Sequence, residues 1–372
     1  MGAARRRYRG ALLLIVGLLG IGHRVRADAS DKMQTPRIYG ADDRREYFEV
    51  ADPEARRTIS ESVVALVAKG RLGASSEPFP TTPTWGDADR LCPDEPFRDQ
   101  PAIALCTGII VDWDLLLTAG HCVRAIPLDD MAVVFDYLYE APGKLAARKS
   151  DVLGVTGIVA EALDGEGVEP RLDYAWLRLD RDVGAGRRPV PIYRQAPPAV
   201  VGDPILTTGT GGGAPIKFDD GGRIRNRRES TIDYFVADVD SSRGSSGAPA
   251  FTQDFALLGT LARGGADFED TAAGCRTTRR VTEELAEEQF TYAHRALAAL
   301  CEKHPDASTL CRPDCGEPCQ ALARVELSGG GCSMAMSRGK NAPFGCVLVF
   351  GVTMLLWHRR SIRGSRRSRK AR

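Results

Sequence analysis

Leu117-Thr118-Ala119-Gly120-His121-Cys122 ends a short apolar run in a histidine. Between residues 28 and 330 the only other histidines are His294 and His304, so a histidine at the mouth of a β-type run is a marked position. Hydrolysis of an amide by a serine needs a base for the hydroxyl proton, a carboxylate to orient that base, and N–H groups for the oxyanion. Two further stretches carry the complementary residue types. Asp173 opens Asp173-Tyr174-Ala175-Trp176-Leu177, and Ser246 lies within Gly244-Ser245-Ser246-Gly247-Ala248-Pro249. The order is His, Asp, Ser, with separations of 52 and 73 residues.

These three motifs together resemble those of the trypsin-like serine proteases with the chymotrypsin fold, in their bacterial form, over about residues 59–300. The resemblance implies an all-β architecture of two six-stranded antiparallel β-barrels with a C-terminal helix and the site in the cleft between the barrels. It implies Ser246 as nucleophile, His121 as general base and then acid, and Asp173 as the orienting carboxylate. The backbone N–H groups of Gly244 and Ser246 would form the oxyanion hole, and Cys106 would pair with Cys122. In animal members of the family an Asp precedes the nucleophile and pairs with a newly cut N-terminus. Ser245 occupies that position here, so that ion pair is not available. Asp240, six residues before Ser246, stands where trypsin carries the acid of its primary pocket, which would select Lys or Arg; bacterial relatives of the glutamyl endopeptidases often carry Asp there for structural reasons, and acidic or small apolar side chains are the alternative preferences. The pocket wall would include Ala262, Arg263 and Gly264. Arg263 either reads an acidic side chain or neutralises Asp240.

The rest of the chain is consistent with that architecture. Short β-type runs at 62–72, 103–111, 115–117, 131–135, 152–159, 174–179, 204–208, 232–237 and 256–262 are separated by Gly- and Pro-rich turns. One long helical pattern is predicted over 281–303, with Phe290, Ala293, Leu297 and Leu300 on one face. Residues 28–58 read as a polar leader or propeptide arm, with Arg56-Arg57 as a candidate cleavage point.

The formal net charge of +1 hides a strong asymmetry. Six Arg fall within residues 1–27 and eight Lys/Arg within residues 359–372. Without those fourteen charges residues 28–358 stand at −13. An acidic body argues against a nucleic-acid partner. Arg5-Arg6-Arg7, the apolar residues 11–21 and Val25-Arg26-Ala27 follow the charged, apolar, small-residue order of a secretory signal at 1–27. At the other end, Gly331-Cys332-Ser333, the apolar residues 343–357 and the basic end resemble the C-terminal sorting tails of myxobacterial surface proteins. That resemblance implies processing or lipidation at Cys332 and a membrane tether through residues 329–372.

Export would place the body in an oxidising compartment. Eight cysteines outside the tail allow a full disulfide set with open pairing, and residues 301–328 read as a small Cys-rich module or linker. A zinc site is the rival use of Cys301, Cys311, Cys315 and Cys319, disfavoured by the lack of a Cys-x2-Cys knuckle. No phosphate loop, nucleotide fingerprint or His-rich cluster is present, so no cofactor or metal is expected. The expected partners are protein or peptide substrates. Two other readings compete. One is a protease-like binding module, which loss of a triad residue would favour. The other is a serine esterase, whose Gly-x-Ser-x-Gly elbow would come first in the order.

Overall fold

Val63–Ala68, Val-Val-Ala-Leu-Val-Ala, is apolar at every position and almost wholly buried. Such a strand must be covered on both faces, as in a barrel packed against further structure. In the computed structural model, which describes residues 38–73, 79–194 and 199–312, it forms β1 of a closed barrel. The other strands are β2 (Ala104–Asp112), β3 (Leu115–Thr118), β4 (Met131–Val134), β5 (Val152–Leu163) and β6 (Asp173–Leu179). The ring runs β1-β2-β3-β6-β5-β4, antiparallel throughout. Val64, Leu66, Ile110, Leu116, Val133 and Leu177 share one buried cluster of this barrel.

The second half holds β7 (Leu206–Gly209), β8 (Lys217–Asp219), β9 (Ile224–Asn226), β10 (Tyr234–Ala237), β11 (Pro249–Phe251), β12 (Leu257–Arg263) and β13 (Glu288–Tyr292). They lie in one eight-stranded sheet, β9-β10-β13-β12-β11-β7-β8, completed by the two-residue strand Arg45–Glu46 on β8. A bridge between Pro204 and Arg223, with Ile205 N–H donating to Gly222 O and Ile224 N–H to Asp203 O, joins the leads into β7 and β9. Six strands thus close into a second ring with the same order as the first. The pair beyond β7 is an addition to the expected six. Phe235 and Phe290 stack 5.1 Å apart in the apolar cluster of this half.

Two helices differ from expectation. Residues 281–303 are not one helix: Glu288–Tyr292 is strand β13, and only Ala293–Lys303 (α2) is helical. Glu288, Phe290 and Tyr292 alternate along a strand held between β10 and β12, and that pairing overrides the local helical spacing. Pro53–Ser62 forms α1, which begins within the stretch read as a polar leader or propeptide arm. Asp52 accepts from the N–H groups of Glu54 and Ala55, and Pro53 takes the first helical position, where its missing N–H costs nothing. Ala55 and Ile59 enter the core, so residues 38–58 are built into the fold where the sequence suggested a leader. Arg56 and Arg57 lie inside α1, the first over the Tyr47 ring and the second paired with Glu54.

Disulfides join Cys92–Cys275, Cys106–Cys122 and Cys301–Cys311. Within the described residues the start of the Cys-rich module is therefore a single bridge at the end of α2. Residues 1–27, Cys315, Cys319, Cys332 and the tail lie outside the described residues.

Candidate active site

His121 follows β3 directly and Asp173 begins β6, the strand paired to β3, so the first barrel's hydrogen-bond ladder brings them together. His121 N–H donates to Asp173 Oδ1 at 3.1 Å, and Nδ1 lies 3.0 Å from Oδ2. Two contacts to one carboxylate fix both the backbone and the ring. With the proton on Nδ1, Nε2 is left as the acceptor. Asp173 is 2% exposed while the His121 side chain is 34% exposed, so the imidazole reaches solvent and the carboxylate does not. The Asp173 N–H donates to Thr291 Oγ1 on β13, which ties this pair to the second barrel.

Ser246 comes from the loop between β10 and β11 of the second barrel. Its carbonyl accepts from Thr107 N–H at 2.8 Å on β2, and Cys122 Sγ lies 3.7 Å from the same oxygen. The serine loop is therefore docked against the disulfide that follows His121. Thr107 and Thr210 share a hydrogen bond of 3.0 Å, and Thr210 Oγ1 donates to Gly244 O at 2.8 Å. With its carbonyl held, Gly244 adopts φ +101°, and a Cβ there would lie 2.6 Å from Thr210 O. Among the described residues no acceptor takes the N–H of Gly244 or of Ser246. With neither N–H bonded, both donors beside the half-buried Ser246 are left to an acceptor from outside, which is the chemistry an oxyanion site requires.

The pocket residues depart from expectation. Asp240 is buried, and neither oxygen is presented to a substrate. Oδ1 accepts from Tyr39 N–H and Oδ2 from Asp43 N–H, each at 2.8 Å. Burial first, then the carboxylate of Asp219, pushes Asp240 up to about 8. Asp219 accepts from Asp240 N–H at 2.7 Å. Arg263 neither faces a substrate acid nor neutralises Asp240. Its Nε donates to Gln289 Oε1 at 2.9 Å, its guanidinium packs over Tyr234, and Nη1 stands 3.8 Å from Asp173 Oδ2. Burial, then the neighbouring Arg171, holds Arg263 below the ordinary arginine range. Ala262 is buried and Gly264 exposed at the end of β12.

Cys106, His121 and Cys122 place one potential metal-binding atom each within 4.8 Å of the others. Both sulfurs are spent in a disulfide, so that trio offers no thiolate. Sequence reasoning missed Tyr39, Asp43, Arg44, Thr107, Thr210 and Asp219. Their roles arise from contacts up to 201 residues apart that no local pattern announces.

Residues 106–259 match the family model described as the trypsin-like peptidase domain. The matched span contains His121, Asp173 and Ser246 and omits the segment before Cys106. A solved structure of the Vibrio cholerae VesB protease is similar at 16% identity and a TM-score of 0.41, covering 66% of this chain and 64% of that chain. No curated protein matches the chain.

Proposed function

We propose that this chain is a serine endopeptidase acting through a Ser246–His121–Asp173 triad and an acyl-enzyme intermediate. The observation that carries the reading is the His121 Nδ1–Asp173 Oδ2 contact at 3.0 Å, beside a serine loop whose Gly244 and Ser246 N–H groups have no acceptor among the described residues. In this reading His121 Nε2 takes the Ser246 Oγ proton as Oγ attacks the carbonyl carbon. The oxyanion is held by the N–H groups of Gly244 and Ser246. Imidazolium, stabilised by Asp173, then gives the proton to the leaving amine, and water repeats the sequence on the ester. The match of residues 106–259 to the peptidase family supports peptides as substrates.

A preference for Lys or Arg is not part of this proposal. A basic side chain needs a free, ionised carboxylate at the pocket base, whereas Asp240 is occupied and its ionisation is disfavoured. Ser241 Oγ donates to the buried Glu288 at 2.7 Å, so that neighbour is also engaged. We therefore assign the pocket to uncharged side chains. Export and tethering through residues 329–372 belong to the same proposal. They are supported by the order of residues at 1–27 and at the basic C-terminal end, and by the three disulfides among the described residues.

The test is labelling of the full chain with a fluorophosphonate probe beside Ser246→Ala. Labelling that vanishes in the variant is expected. An intact wild type that does not label would sink the peptidase reading in favour of a protease-like binding module.

A further inference from the structure

The segment Ile38–Glu46 runs under the loop that carries the nucleophile. Ile38–Tyr39 pairs in parallel with Arg280–Val281, and Arg45–Glu46 adds an edge strand to β8. Between those anchors the chain makes its contacts with Asp240. The backbone N–H groups of Tyr39 and Asp43 straddle that carboxylate, one on each oxygen. Arg44 points inward. Its side chain is 6% exposed, bonded through Nε and Nη2 to both oxygens of Asp42 at 2.8 Å, and its guanidinium lies over Trp85 and Phe97 at 5.7 and 5.4 Å. Arg44, Asp240, Ser241, Ser242 and Ser245 line one cavity of about 20 Å³, room for about one water. The far end of the segment is fixed by a buried ion pair, Glu46 with Lys217 at 3.4 Å.

The loop held in this way is Asp240–Ser246. Within it Ser245 N–H donates to Ser242 O at 2.9 Å, and Gly212 N–H donates to Arg243 O at 2.6 Å. Such a turn presents the Gly244 and Ser246 N–H groups only while its base is fixed. Gly244 itself is conformationally permissive and cannot fix it. No carboxylate stands at position 245 to anchor the turn from within.

We propose that Arg44 and Asp240 are positioning residues: the Ile38–Glu46 segment clamps the Asp240–Ser246 loop in the shape that presents both oxyanion donors. The clamp draws on the backbone N–H groups of Tyr39 and Asp43 at Asp240, with the Arg44 guanidinium packed into the cavity that Asp240 and Ser245 also line. It rests on the peptidase reading. It also assigns a role to a stretch the sequence suggested was a removable arm.

The test compares the full-length wild type with Arg44→Ala, Arg44→Lys and Asp42→Asn. The readouts are the fluorophosphonate labelling rate, kcat and KM on a peptide ester, and melting temperature. Loss of one oxyanion donor costs on the order of 10²-fold in kcat. Arg44→Ala is therefore expected to slow labelling and kcat by about that factor with KM within about threefold. Millimolar guanidinium ion, filling the vacated site, is expected to restore part of the rate. Arg44→Lys and Asp42→Asn should fall between. A folded Arg44→Ala or Asp42→Asn that labels at the wild-type rate overturns the clamp, and so does one that labels faster, since the segment would then be inhibitory. If Arg44→Ala does not fold, Asp42→Asn decides on the same two outcomes, because it keeps the buried guanidinium and removes only its partner. A wild type that does not label overturns the peptidase reading itself, and the clamp with it.

Discussion

Arg263 brings a guanidinium nitrogen to 3.8 Å from Asp173 Oδ2, the same oxygen that faces His121 Nδ1. The Asp173 carboxylate is thus shared between the His121 ring and a partly buried cation. Arg263→Ala removes charge compensation from a 2% exposed carboxylate and leaves Gln289 Oε1 without its donor. We expect a loss of about 2 kcal/mol, read as a lower melting temperature. The ranking of side chains accepted before the scissile bond should stay unchanged. A switch in that ranking would return Arg263 to the specificity pocket.

Asp173→Asn keeps the shape of the carboxylate but turns an acceptor into an amide that can face His121 with N–H. The ring then favours the tautomer with its proton on Nε2, where a base is needed. Steady-state kinetics should give kcat lower by on the order of 10⁴. A loss below about tenfold would remove Asp173 from the mechanism.

Gly247 sits at φ +83°, and a Cβ there would lie 2.1 Å from Thr107 O and 2.2 Å from Thr118 Oγ1. Both are parts of the first barrel, so the seam between the barrels cannot yield cheaply. Gly247→Ala should cost about 3 kcal/mol or more and abolish labelling. Denaturant unfolding measures the first effect.

Asp219 and Asp240 make stability fall as pH rises through neutrality. Burial raises both above the ordinary carboxylate range, to about 7 and about 8, and repulsion between them adds to the shift at Asp240. Between the unfolded value near 3.8 and these folded values, the native state holds protons that the unfolded chain has released. This contribution is complete below the unfolded value and is lost on the way to about pH 8. The melting temperature should therefore fall from about pH 5 to about pH 8, with a shallower slope in Asp219→Asn. An unchanged slope in that variant would rule the pair out as its source.

The six strands of the first barrel and three of the second, at 204–208, 232–237 and 256–262, were legible because each is a short apolar run closed by turn residues, whereas Ile224–Asn226 and Pro249–Phe251 are three-residue strands too short to stand out as runs. His121, Asp173 and Ser246 were legible because each sits in a local motif, and the structure joins the first two directly while docking the third loop beside them. Asp240 misled because its position suggested a pocket acid, whereas its partners Tyr39 and Asp43 are about 200 residues away. The helix at Pro53–Ser62 did leave a signal, Asp52-Pro53-Glu54, which has the form of a helix start. The strand Glu288–Tyr292 did not, since its apolar positions fit a helical spacing equally well until β10 and β12 flank it.

The Cys92–Cys275 bridge encloses His121, Asp173 and Ser246 in one covalent loop of the chain. A single backbone cut anywhere between those cysteines leaves all three residues tethered in the same molecule. A nicked chain would keep its full mass on a gel run without reductant and split into fragments only once thiol is added. Surface loops between these cysteines can therefore be clipped without dispersing the three residues.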